Sequence, residues 1–393
     1  MIVMKKSIVN LLSDLTFLIL LFFNKIRSFI NMYSLRGTYS DKNIIIFPNA
    51  MGIGDFFILL NSLKNSNVKI DQTIIIHYNI IYREILNNEN IENYYIKNNV
   101  FSPFKLIYKL SPQKYNALFF ASIGYYIFSY SVFVSYLMIV FLNSKAQIIL
   151  ATRQGSFTQL FNKVVKYNLK LTLGRNYFSI FNGYFEKEDF SNNYIQQLSK
   201  RNKSEKIIII HPFSNENQKW KRWPIINFLK LARMISDVGF KVCFVGNKSE
   251  QLEFGEFLTD KGKFEFIVGK NGIMNIVELI KKAQIVISND SAYMHVANYY
   301  YKPFIAIFGP TDPKRTLPIF THPLSMIIRK NIVCSPCHTI ESNFNPNFCE
   351  INYKCLNNIS AQTILNEFLK ILQKSTDSNT NIKECASIRV VND

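Results

Sequence analysis

Three clusters of residues have the types and spacing for chemistry on a phosphorylated ligand. The first is Ser288-Asn289-Asp290-Ser291, which follows the apolar run Ile285-Val286-Ile287 and precedes Ala292 to Tyr300. Its side chains suit a helix start, and free N–H groups at a helix start attract phosphate. The second is Lys219-Trp220-Lys221-Arg222-Trp223-Pro224, just ahead of the amphipathic stretch Ile225 to Ile235. Cations beside helix N–H groups make a diphosphate site, and the same run also reads as a solvated basic loop. The third is Asn49-Ala50-Met51-Gly52-Ile53-Gly54-Asp55, before the apolar stretch Phe56 to Leu63. Gly52 and Gly54 permit a tight, open-faced turn. Asp55 at the helix start is stabilised by the helix dipole, so taken alone it reads as a cap.

The elements that must position these clusters are strands and helices in alternation. Apolar runs read as buried parallel strands: Asn43 to Pro48, Ile74 to His77, Ile207 to Ile210, Lys241 to Val245, Phe264 to Val268, Ile285 to Ile287 and Phe304 to Phe308. Each polar cluster sits at a strand's carboxyl end, where ligands of open α/β sheets bind. His77 reads as a structural strand-end residue. The length of 393 residues suits two domains, each with its own core. Hydrophobic content of 48% excludes general disorder. A net charge of +19 predicts an anionic partner. The chain shows no helix-turn-helix, zinc-finger or RNP-like pattern, which disfavours nucleic acid.

Asn289-Asp290-Ser291-Ala292-Tyr293-Met294-His295-Val296-Ala297, with Lys302-Pro303 and Phe308-Gly309-Pro310-Thr311-Asp312-Pro313, resembles a known signature. It is that of the ADP-heptose:lipopolysaccharide heptosyltransferase family, glycosyltransferase family nine, roughly nDSGpmHlA…kPvvalFGpTdP. The resemblance runs from Asn43 to Gln373 in the right order. It implies an α/β fold of GT-B architecture, two Rossmann-like doubly wound domains facing a cleft. The resemblance implies an acceptor-binding domain (43–190) and a nucleotide-sugar-binding domain (204–373); the residues on either side read by themselves as an N-terminal membrane-associated segment (1–42) and a disordered tail (374–393). The resemblance also implies an inverting transfer of heptose from ADP-heptose to a lipopolysaccharide inner-core acceptor, without a metal or other cofactor. In that picture Asp55 is the catalytic base, and Gly52 and Gly54 form the acceptor-side loop. Lys221 binds donor phosphate, Glu250 holds ribose, and Asp290, Ser291, Ala292 and His295 shape the donor pocket. Two departures matter: Ala292 and Phe213 stand where the family has Gly. Rival readings are the same fold with another nucleotide-sugar donor or acceptor, and a catalytically silent nucleotide-sugar-binding protein at the membrane.

Two apolar segments point to a membrane. Ile8 to Phe23 is bracketed by Lys5-Lys6 and by Lys25 and Arg27, which fits an interfacial helix better than a span. Tyr115 to Ser144 carries no charge. It parses as a strand from Leu118 to Ala121, an aromatic helix from Tyr125 to Leu142 and a strand from Gln147 to Leu150, with lipid-touching, buried and spanning readings of the helix all open. The expected location is cytoplasmic, peripheral on the inner membrane, against its anionic surface. Residues 185–206 read as an interdomain linker. Cys334, Cys337, Cys349 and Cys355 carry two readings: a structural zinc site, or reduced or redox-active thiols.

Overall fold

The structure is a computed structural model. It describes residues 38–47, 52–66, 68–96, 101–110, 113–120, 143–151, 163–166, 175, 177, 179, 181, 205–255, 257, 264–268, 273–318, 321–339, 349–376 and 388–392. The N-terminal apolar segment, the helix expected over Tyr125 to Leu142 and residues 185–204 of the linker lie outside these. The chain forms two compact units. One comprises residues 1–51, 66–169 and 176–188, the other 52–65, 170–175 and 189–393.

The first unit is built on a parallel sheet. Its strands are β1 (Thr38–Tyr39), β2 (Asn43–Phe47), β3 (Thr73–His77), β4 (Glu92–Tyr95), β5 (Gln113–Phe120), β6 (Asn143–Ala151) and β7 (Lys163–Lys166). They run in the order β4-β3-β2-β5-β6-β7, with β1 pairing the start of β5. Ile44, Ile45, Ile46, Ile75 and Ile76 are fully buried, as strands covered on both faces require. His77 is buried at the end of β3, near Asn93 Oδ1 at 3.2 Å and stacked on Tyr95. Burial holds it down to about 4, so it is a neutral structural group.

The second unit begins with a helix from the N-terminal half, α1 (Ile53–Lys64), which groups with the C-terminal residues. Its other elements alternate. They are β8 (Ile207–His211), α2 (Ile225–Asp237), β9 (Lys241–Gly246), α3 (Lys248–Gly255), β10 (Glu265–Val268), α4 (Ile273–Lys282), β11 (Ile285–Asn289), α5 (Ala292–Tyr299), β12 (Phe304–Phe308), α6 (Pro313–Thr316), β13 (Met326–Arg329), α7 (Lys354–Asn357), α8 (Ala361–Thr376) and β14 (Arg389–Asn392). The parallel strand order is β10-β9-β8-β11-β12-β13-β14. The order reverses between β8 and β11, the crevice where doubly wound sheets bind ligands. Ser288 on β11 is in register with His211 on β8, which levels the two strand ends. Phe228, Leu231, Ala232 and Ile235 of α2 and Ile364 and Phe368 of α8 pack with the strand residues in one apolar core. One expectation is corrected: Arg389–Asn392, inside the supposed disordered tail, pairs in parallel with β13. Four residues are too few for a strand period to stand out, and the neighbouring edge supplies the hydrogen bonds.

Among the described residues no helix is long and apolar enough to cross a membrane. Residues 115–120, within the charge-free stretch, belong to β5 and pair with β2 and β6.

Candidate active site

The site is assembled at the carboxyl ends of β8 and β11, and Asn289 clamps it. This residue is fully buried. Its amide Nδ2 donates to the Pro212 carbonyl at 2.8 Å, and its Oδ1 accepts from the Trp223 N–H at 2.9 Å. Trp223 is locked in turn, its indole N–H donating to the Ile359 carbonyl at 3.0 Å. The basic run is therefore held in one conformation, and its cations divide. Arg222 lays its guanidinium on Glu253, both oxygens at 2.8 Å, and Lys219 faces the same carboxylate at 3.5 Å. Lys221 alone turns to Asp290, at 2.8 Å, with the two side chains only 11% and 5% exposed.

Asp55 enters on α1. Gly52 is the N-cap, in an extended conformation, and Asp55 accepts a hydrogen bond from its N–H. The capping role is thus real. It does not use up the carboxylate, because Lys221, Asp290 and Arg315 lie within electrostatic reach of it. Gly54 brings α1 onto α5: a Cβ there would lie 3.1 Å from His295 Cδ2 and 3.3 Å from the Ala292 Cα. The small residue at 292 serves the same close approach. Farther along, Phe57 meets Tyr299 edge-on at 5.3 Å, and the Lys64 ammonium sits over the Tyr299 ring at 4.7 Å.

The two carboxylates are driven apart. Burial raises Asp55 to about 6, against the opposing pull of Lys221 and the Gly52 N–H. Burial also acts on Asp290, but the adjoining Lys221 ammonium outweighs it and leaves that carboxyl below its ordinary value. Such a split separates roles. Asp290 stays ionised as the partner of Lys221, and Asp55 is poised to exchange a proton near neutral pH.

Ser291 is the N-cap of α5 but makes no side-chain capping bond. Its hydroxyl lies 3.1 Å from His211 Nδ1 instead. Glu250 is buried at 7% exposure. It closes a capping box: its Oε2 accepts from the Asn247 N–H at 2.7 Å, and Asn247 Oδ1 accepts from the Glu250 N–H at 3.0 Å. The same oxygen faces His211 Nε2 at 3.7 Å. His295 is buried and held neutral, at about 4, and its Nδ1 has no hydrogen-bond partner among the described residues. Phe213, which stands where the family has Gly, is 1% exposed and packs edge-on against Phe254 at 5.8 Å.

Asp55, Lys221, Glu250, Asp290, Ser291, Ala292 and His295 therefore all belong to the second unit. Sequence reasoning gave Asn289 no role of its own within its cluster, and missed His211 and Arg315. The first two ended apolar strands, a signal available but indistinct from an ordinary turn. The four cysteines are free thiols, from buried Cys355 to exposed Cys334. Burial, aided by the other cysteines nearby, lifts Cys355 to about 12. Among the described residues no group of three or more His, Cys, Asp or Glu is placed to hold a metal ion, so the zinc reading finds no support there.

Residues 154–347 match the family model of glycosyltransferase family 9 (heptosyltransferase). Lipooligosaccharide heptosyltransferase 2 of Haemophilus ducreyi is 33% identical over 106 residues, 25% of this chain and 30% of that protein. The chain thus spans less than a third of the length of this curated relative. Among solved structures, E. coli ADP-heptose lps heptosyltransferase II matches with a TM-score of 0.59 at 17% identity, covering 86% of this chain and 100% of that one. E. coli heptosyltransferase WaaC with ADP matches with a TM-score of 0.61 at 12% identity, covering 84% and 99%. At these identities the likeness is one of fold, and the fold is GT-B. Over residues 154–347, just under half of the chain, the signature and the fold agree with the match to glycosyltransferase family 9 (heptosyltransferase).

Proposed function

We propose that this protein is an inverting glycosyltransferase that moves heptose from ADP-heptose to a lipopolysaccharide inner-core acceptor. The observation that carries the reading is the divided carboxylate pair, Asp55 raised to about 6 and Asp290 tied to Lys221 at 2.8 Å. In this reading Asp55 takes the proton of the acceptor hydroxyl, which attacks the anomeric carbon in a single displacement. Lys221 and the N–H groups at the start of α5 stabilise the departing diphosphate, in place of a metal. Glu250 holds the ribose, and Ser291, Ala292 and His295 shape the pocket around the phosphates and sugar. The acceptor-binding role falls to residues 43–190 and the nucleotide-sugar role to residues 204–373.

Heptose itself has no reader among these residues, so the donor sugar and the ADP base rest on the family. A thermal-shift panel of nucleotide sugars tests them, because a ligand of the native state raises the melting point by mass action. ADP-heptose is expected to give the largest rise. A larger rise with another nucleotide sugar would overturn the donor assignment, and binding without transfer would favour the silent-protein reading. The +19 charge supports a peripheral position on an anionic membrane surface, where a lipid-linked acceptor resides.

A further inference from the structure

We propose that His211 is a positioning residue of the donor site, joining Glu250 at its nucleoside end to Ser291 at its phosphate end and taking up a proton when the diphosphate binds. The proposal rests on reading this pocket as the nucleotide-sugar site. His211 is 3% exposed at the end of β8. Its Nδ1 lies 3.1 Å from Ser291 Oγ, and its Nε2 lies 3.7 Å from Glu250 Oε2. Tyr293 stacks on the ring at 3.8 Å and 23°, and Phe213 meets it edge-on at 5.8 Å. The ring plane is therefore fixed, and both nitrogens have assigned neighbours.

The charged and titratable groups facing the ring are Glu250 on α3, Arg222 before α2, and Tyr293 on α5. Burial pushes the imidazole below its ordinary value, while Glu250 opposes that and Arg222 adds to it. The free protein thus holds a neutral ring. A carboxylate facing Nε2 selects the tautomer with hydrogen on Nε2, so Nδ1 accepts from the Ser291 hydroxyl. In that state the hydroxyl proton points away from the phosphate site. An arriving diphosphate places negative charge on the Ser291 side, opposite Glu250, and the imidazolium becomes the favoured form between them. A proton from solvent adds to Nδ1. The new N–H donates to Ser291 Oγ, and the Ser291 hydroxyl swings to donate to a phosphate oxygen. No covalent bond of the donor changes.

The test is calorimetric titration with ADP-glucose, whose diphosphate diester does not titrate near neutrality, at pH 7 in two buffers of different ionisation enthalpy. An Asp55→Asn background silences the other group poised to take a proton. Binding is expected to take up a substantial fraction of a proton. His211→Gln should abolish the uptake and weaken binding roughly tenfold, the loss of one charge-assisted hydrogen bond. Glu250→Gln, which keeps the imidazole but removes its counter-charge, should reduce the uptake and covers the case of a poorly folding His211 variant. Binding without proton uptake, or uptake unchanged in His211→Gln and Glu250→Gln, overturns the role of His211 alone. Absence of binding by ADP-, UDP- and GDP-glucose alike overturns the donor-site reading and this proposal together.

Discussion

Replacing Asp55 by Asn should stabilise the protein while disabling it. The carboxyl is raised from 3.8 to about 6 by burial. A group whose folded value lies above its unfolded value binds its proton more tightly in the native state. Its contribution is therefore most favourable below pH 3.8 and is lost as pH rises through 6. About two pKa units at 1.36 kcal/mol each make an upper figure of about 3 kcal/mol. Solvent screening at the partly exposed side chain brings this to about 2 kcal/mol. Asn carries no charge at any pH and escapes the loss. At roughly 2–4 °C per kcal/mol for a domain of this size, its melting point at pH 7.5 should be about 4–8 °C above wild type. Near pH 4 the two proteins should melt together. Calorimetric melts at both pH values measure this, with transfer assays expected to show a loss of about 10²–10⁴ in rate. A variant less stable than wild type at pH 7.5, or a difference independent of pH, would refute the argument that burial sets this carboxyl.

Lys221→Ala should abolish donor binding and cost about 3 kcal/mol of stability, because it leaves Asp290 buried without its cation. Adding Asp290→Asn should recover most of that loss, and strictly additive denaturation energies would show that the pair is not coupled. Gly309→Ala should destabilise by about 1–3 kcal/mol, since its Cβ would fall 2.4 Å from Leu356 Cγ. Combined with Leu356→Ala it should cost less than the sum of the single changes, as measured by urea unfolding. Transfer should persist after exhaustive EDTA treatment, because Lys221 and the α5 N–H groups carry the leaving-group charge; activity that vanished and returned with magnesium would contradict this.

The fold was legible because buried parallel strands must be continuously apolar. The runs Ile44 to Ile46, Ile74 to Ile76 and Ile207 to Ile210 declare themselves, and each is fully or almost fully buried. The polar clusters at their ends located the site for the same reason, since ligands of such sheets collect there. Sequence by itself therefore determined the order of elements and the residue types available to the site. Local pattern failed at β14, which exists only because β13 offers an edge. It says nothing of the burial of Glu250, which sits in a capping box with the His211 ring across from it.

Tertiary structure alone decided which member of each cluster does what. Three cations share the basic run, and nothing in their spacing separates them. Glu253 captures Arg222 and Lys219, which leaves Lys221 for Asp290. Two aspartates read alike as helix-start residues, and only the placement of that one ammonium drives Asp290 down while Asp55 stays high. His211 and Ser291 are 80 residues apart and meet because β8 and β11 are neighbours in register. Charge and hydrogen-bond partners act over a few ångströms, so roles within a site are set by distances that a linear pattern does not contain.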